Sequence, residues 1–239
     1  MVIIRDEEHV SIRRRVGMVT SAIGILVLLA GMIVTIAVDP ATYNSALTLL
    51  SLPVGFIVSQ IGLYFANRYV RSPRPDERLD EVLDKVAKNS RIYHYVIPSV
   101  PHVILTPAGP IVLVAKFQAG NITADGYKWT QKGLGFSRFF GQQGLGNPST
   151  EAEYRVKQLA KFISRNAPTV AEKEIPMSAI IVFTTKDGGE LDLKNSTIPA
   201  LHYTKLRGFW KQRNRDEPLP KEDFEALVEA FDAAAGEDE

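Results

Sequence analysis

The sequence predicts an α/β protein: a two-helix transmembrane hairpin followed by a mixed-sheet α/β sandwich. Three observations predict it. Two long uncharged apolar stretches stand near the N-terminus, separated by little more than "DPATYN" (39–44). Segments rich in β-branched and aromatic residues, divided by tight-turn residues, come after them. Amphipathic helical patterns flank those segments on both sides.

The first stretch, "VGMVTSAIGILVLLAGMIVTIAV" (16–38), carries no charge. At about 1.5 Å per residue it crosses a hydrocarbon core of roughly 30 Å. The second runs over 41–67, with its apolar body from Ala46, so the expected spans are about 16–38 and 46–67 within a hairpin over 16–70. Pro53 is tolerable in a spanning helix whose neighbour re-satisfies the freed carbonyl. Arg13, Arg14 and Arg15 precede the first span, Arg68, Arg71 and Arg74 follow the second, and the loop between has Asp39 and no base. The positive-inside rule then puts both termini in the cytoplasm, with residues 1–15 as a cytoplasmic lead. A cleaved signal peptide does not fit, because the apolar stretch is too long and another follows at once.

Composition agrees with one domain and an anchor. The chain has 239 residues, 45% hydrophobic and 23% charged. Residues 1–74 hold seven Arg and four acids, net +3, which leaves the remainder at −2 of the overall +1. A mildly acidic soluble part lacks the field of a non-specific nucleic-acid binder. The absence of cysteine excludes disulfides and Cys-based zinc sites.

"RSPRPDE" (71–77) reads as a linker that ends the second helix. From Asp76 the spacing of Leu79, Val82, Leu83 and Val86 predicts an amphipathic helix. Then "RIYHYVIP" (91–98), "HVILT" (102–106), "PIVLVAKF" (110–117) and "NITADGYKWTQK" (121–132) predict an antiparallel meander. The glycine-rich "KGLGFSRFFGQQGLGNP" (132–148) has no Gly-Lys-Ser/Thr and is not a phosphate loop. Its Phe136, Phe139 and Phe140, beside Arg138, are read as packing the loop onto the sheet, with a bilayer or partner contact as the other use. A helix over 149–167 follows, capped by Asn147 or Ser149, with Val156, Leu159, Phe162 and Ile163 as its stripe. "MSAIIVFTT" (177–185) reads as a central strand, and "STIPALHY" (196–203) as a short strand running into a helix with Leu206, Phe209 and Trp210. The domain so delimited covers 76–214, and 215–239 forms a last amphipathic helix and an acidic tail.

This order of elements, with "PHVILTPAGPIVLVAK" (101–116), "FQAGNI" (117–122), "YKWTQK" (127–132), "NPSTE" (147–151) and "IIVF" (180–183), resembles the nuclease-related domain (NERD) family. NERD domains are a branch of the PD-(D/E)xK nuclease-like fold. The resemblance covers roughly residues 76–210, and the paired spans make the whole chain similar to bacterial membrane-anchored NERD proteins. It implies a multi-pass protein of the bacterial inner membrane. It also implies a site in which Asp and Glu hold a divalent metal and a lysine positions the attacking water and the phosphate. Here the family's aspartate falls on Pro101, its glutamate on Val114 and its helix glutamine on Glu151, while Lys116 and His102 stay. Proline and valine supply no side-chain oxygen for Mg²⁺.

Strand alternation places Lys116, Val114 and Val112 on one face, and His102 opposite to Pro101. Glu77, at the family's early-glutamate position, and Glu151 are the carboxylates that could reach the site from helices. The expected reading is therefore a catalytically inactive binding or scaffold module with no cofactor, and Lys116 as a relic or a strand-end lysine reaching solvent. Two alternatives stand beside it: a nuclease with an atypical Mg²⁺ or Mn²⁺ site, and an oligomerising membrane scaffold without nucleic-acid affinity. "KLRGFWKQRNR" (205–215) offers Arg213 and Arg215 to nucleic acid or anionic lipid, against a solvated helix face with Trp210 in the core. His94 and His202, each beside tyrosines, are read as structural.

Overall fold

A computed structural model describes residues 1–37, 45–134, 144–186, 189–213 and 216–236. The expected external loop (39–44), Phe136, Arg138, Phe139, Phe140 and Arg215 lie outside the described residues. The chain forms two compact units, Glu7–Arg74 and Met1–Asp6 with Pro75–Glu239.

The first unit pairs α1 (Glu7–Ala37) with α2 (Ser45–Phe65), which continues as a π-helical turn over Ala66–Val70. Both helices are long and apolar enough to cross a membrane. Their apolar side chains mostly face outward, Ile36 being 78% exposed. What they bury is mostly glycine, with Val10 and Tyr69 at one end. Val10, Gly17, Gly24 and Gly31 on α1 recur every seven residues, as do Gly55, Gly62 and Tyr69 on the partner. Seven-residue spacing holds one seam against a neighbouring helix.

Backbones meet along that seam. A Cβ added at Gly24 would lie 2.7 Å from Ser59 N and 2.9 Å from its Cα, and one at Gly62 would lie 2.6 and 2.7 Å from the same atoms of Ser21. Such close approach is the packing of small residues in apolar helices. Along the outside, Thr20 and Thr35 donate to the carbonyls of Val16 and Gly31, four residues back, at 2.7 and 2.8 Å.

The second unit is a six-stranded mixed sheet between two helical layers, with a three-stranded sheet beside it. The large sheet runs β1 (Val2–Arg5), β2 (Arg91–Ile97), β3 (Val100–Thr106), β4 (Gly109–Lys116), β7 (Ser178–Phe183), β9 (Ala200–His202). β2, β3 and β4 are the antiparallel meander, whereas β1–β2, β4–β7 and β7–β9 are parallel pairs. Residues 2–5, read from sequence only as part of the lead, thus form an edge strand of the second unit.

The expected meander stops at β4. β5 (Asn121–Gly126) pairs instead with β6 (Lys128–Lys132), antiparallel, and with β8 (Leu191–Ser196), parallel, at the centre of the small sheet. Gly120 turns the chain at φ +95°, where a Cβ would press on the Lys132 carbonyl at 2.6 Å. The burial also changes there, from strands buried along nearly their whole length to an alternating, half-exposed β5. Of the expected strand over 196–203 only Ala200–His202 is a strand, β9 of the large sheet, while Ser196 ends β8 of the small sheet, a strand the sequence reading did not expect.

Alternate residues of the large sheet feed two cores. Tyr93, Val103, Leu105, Val112, Val114, Ile181 and Phe183 face α4 (Pro148–Asn166), α5 (Pro168–Ala171) and α7 (Lys221–Gly236). Ile92, Ile104, Leu113, Ile180 and Val182 face α3 (Pro75–Leu83) and α6 (Tyr203–Arg213), and Trp210 is buried there. Burying one such side chain stabilises by about 1.5–3 kcal/mol, so the two layers carry most of the fold. α4 begins where Asn147 Oδ1 accepts from Ser149 N and Thr150 N, both at 3.1 Å.

The helix at the C-terminus belongs to this packing. Phe231 is fully buried, 4.9 Å from the Tyr93 ring and 5.0 Å from that of Phe162. Tyr93 donates to Asp232 at 2.9 Å, and Arg91 grips the same carboxylate with two bonds. Burial pushes the Tyr93 phenol up, and its bond to Asp232 adds to the shift. The folded protein therefore holds this proton more tightly than the unfolded chain, where tyrosine titrates near pH ~10. Its contribution is complete below that pH and is lost as pH rises above it. Tyr93→Phe is expected to cost about 1 kcal/mol at pH 8 through the lost hydrogen bond. Urea midpoints at pH 8 and pH 11 should also show a smaller alkaline fall in the variant; an equal fall would assign the loss elsewhere.

Candidate functional site

The end of β4 carries the first candidate site. Lys116 sits level with Phe183 of parallel β7, and its carbonyl accepts from Thr184 N at 2.7 Å and from the Thr184 hydroxyl at 3.2 Å. Its side chain does not run out to solvent. Lys116 is 7% exposed, donates to the Leu145 carbonyl at 3.3 Å and forms an ion pair with Glu151 on the first turn of α4. Glu151 also pairs with Arg155, one turn on. Gln118 is buried nearby; its Nε2 donates to Gly144 O at 3.4 Å, and its Oε1 has no hydrogen-bond partner among the described residues. Trp129 closes the wall, donating to Ser149 Oγ at 2.9 Å with its ring 6.2 Å from Phe183.

Of the residues singled out from sequence, this geometry brings together Lys116 and Glu151. Val114 is fully buried in the core beneath α4, and Pro101 is half-buried on β3. His102 and Glu77 belong elsewhere: His102 meets residues of the opposite face, and Glu77 lies on α3, which packs against that face. Arg213 donates to Ser178 Oγ at 2.7 Å and pairs with Asp216 at 3.2 Å, so it is engaged within the fold. His202 is satisfied on both nitrogens, by the Thr185 carbonyl and the Thr204 hydroxyl, each at 2.8 Å.

The Lys116–Glu151 pair invites a direct test. Glu151→Ala would leave a buried ammonium with the Leu145 carbonyl. The expected loss is about 2 kcal/mol, under the ~3–5 of a fully buried pair because Glu151 is partly exposed. Lys116→Met combined with Glu151→Gln should recover most of it, measured as thermal midpoints. A double variant no better than Glu151→Ala would show that the pair is not what the single change breaks.

A second constellation escaped the sequence reading. His94 Nδ1 and His102 Nδ1 lie 2.9 Å apart across β2 and β3, and His94 Nε2 lies 2.8 Å from Asp80 Oδ1 on α3. Asp80 pairs with Arg5 of β1, whose Nε is 2.9 Å from Asp76 Oδ2. The Tyr95 hydroxyl stands 3.5 Å from Asp76 Oδ1, and its ring packs edge-on to His102. His94 and Asp76 are completely buried. The sequence signal for this cluster is faint: two acids at i, i+4 on α3, and charge-capable residues inside otherwise apolar strands.

Among the described residues, no group of three or more His, Cys, Asp or Glu is arranged to hold a metal ion. No family model matches the chain, and neither a curated protein nor a solved structure does.

Proposed function

We propose that this chain is a membrane-anchored NERD-like module on the cytoplasmic face of the bacterial inner membrane. In this reading its nuclease site no longer cuts, and the soluble domain binds a partner or serves as a scaffold. The observation that carries the reading is the state of Lys116: its charge is taken up by Glu151 and a backbone carbonyl, beside a valine where the family has a metal-binding glutamate. A lysine so engaged is poorly placed to polarise a phosphate. The anchor is supported by two outward-facing apolar helices. Placement of both termini on one side is supported by β1, because a strand from before the hairpin and strands from after it share one sheet.

One observation favours an active nuclease with an atypical metal site. Glu151 does reach Lys116, and a carboxylate beside the lysine is the start of a Mg²⁺ or Mn²⁺ site. The deciding experiment uses the full chain in detergent with Mg²⁺ or Mn²⁺ and single- and double-stranded DNA and RNA, beside Lys116→Ala. The module reading expects no cutting above that of the variant. Metal-dependent cutting that vanishes in Lys116→Ala would replace it with the nuclease. If nucleic acid is the bound partner, affinity should fall steeply with salt and weaken on neutralising Arg213 and Arg215.

A further inference from the structure

We propose that His94 and His102, with Asp80, Asp76, Arg5 and Tyr95, form an acid-sensitive latch that fastens the two ends through which the soluble domain is joined to the helical hairpin. Asp80 Oδ1 accepts from His94 Nε2, which therefore carries a hydrogen. The two Nδ1 atoms, 2.9 Å apart, share one proton: one ring donates and the other accepts. The closed pair can hold a proton on each Nε2 and one between the Nδ1 atoms; a second proton between the Nδ1 atoms would set N–H against N–H and put two imidazolium charges in contact among buried side chains. The closed pair therefore takes one proton fewer than two separated imidazoles take in acid.

The groups around the pair make its loss consequential. Arg5 comes from β1, Asp76 and Asp80 from α3, where Glu77 is their neighbour in sequence, and Tyr95 from β2, while Asp6, just past β1, donates its backbone N–H to the His94 carbonyl at 3.1 Å. Asp80 is the shared member: it accepts from His94 on one side and pairs with Arg5 on the other, and Arg5 holds Asp76. Arg5 is the last residue of β1 and Asp76 the second of α3, so this chain of contacts ties the domain's exit to its re-entry. The strand pairing is already weakened here. The β2–β3 register shifts between His94 and Ile97, and Tyr95 sits at φ +65°, a conformation that costs a non-glycine residue about 1–3 kcal/mol. Such a site opens locally before the domain unfolds.

The test is hydrogen–deuterium exchange on the full chain in detergent from pH 8 to pH 5, corrected for intrinsic exchange rates. Peptides covering residues 2–6 and 75–80 report the latch, and those covering β7 report the rest of the sheet. Below the pH at which the second proton binds, uptake of one proton per opening makes the opening constant of the latch peptides rise up to tenfold per pH unit. The β7 peptides should stay level. His102→Asn, which keeps a hydrogen-bonding group but removes the second basic nitrogen, should flatten the rise. Latch peptides equally protected at pH 5 and pH 8, β7 peptides loosening in step with them, or an unchanged rise in His102→Asn would each overturn the proposal. The wild-type profile decides the matter by itself if the variant does not fold.

Discussion

Gly24→Leu is expected to prise the two long helices apart. The position offers no rotamer escape, because the atoms that a side chain would meet first include the backbone N and Cα of Ser59. Overpacking typically costs about 1–3 kcal/mol, and here the strain can be relieved only by moving one helix away from the other. Gly62→Leu, against the backbone of Ser21, should act in the same way from the opposite side. The chain has no cysteine, so spin labels go only where they are placed. Met18 and Tyr64, exposed near the same end of the pair, suit them. The label-to-label distance should lengthen by a few ångströms and broaden as the helix axes part toward the ~8–10 Å separation of ordinary helix pairs. Gly24→Ala should shift it less. An unchanged distribution in Gly24→Leu would mean that the glycine seam does not set how closely the helices approach.

The second large effect concerns six residues. A chain that begins at Pro75 lacks β1 and with it Arg5, leaving the fully buried Asp76 carboxylate without its guanidinium. Removing one partner of a buried ion pair costs about 3–5 kcal/mol, a large part of the ~5–15 kcal/mol that holds a domain together. Ile4, packed against the first core, goes as well. Residues 75–239 alone should therefore show a much lower urea midpoint than the same domain preceded by residues 1–6 and a short flexible Gly/Ser linker. Equal midpoints would reduce β1 to an ornament on the sheet edge. Any assay on the soluble part has to retain those six residues.

The contrast between β4 and β1 explains what the sequence made legible. β2 to β4 and β7 are dense apolar runs bounded by turns, α4 announces itself by stripe and cap, and α7 by its stripe. β1 has only four residues, and the acids and arginines of 6–15 come straight after it. Its partner lies some ninety positions away across the hairpin, so nothing local marks it as a strand. β8, "LDLKNS", is polar and alternating, and it pairs with a strand seventy positions earlier. At the site, Glu151 was legible as a carboxylate beside Lys116 because a motif order pointed to both. The His94–His102–Asp80 contact was not, because it arises from three elements whose chemistry meets only after the sheet forms. The heptad of glycines was written plainly in the two spans, but hydropathy reads length and charge and passes over spacing.

The parallel pairing of β1 with β2 also dictates an order of events during synthesis. The strand that is translated earlier must wait while the whole hairpin emerges, on the order of ten seconds at ordinary ribosomal rates. Through that interval Val2–Arg5 waits for β2, and in the membrane-anchored reading proposed above it stays on the ribosome's side while the helices insert as a loop. Its place at the rim of the sheet makes the delay tolerable: β2, β3 and β4 can zip together as each arrives, and the oldest strand docks last, from outside. In that reading, completion of the second unit's sheet is gated by insertion of the hairpin.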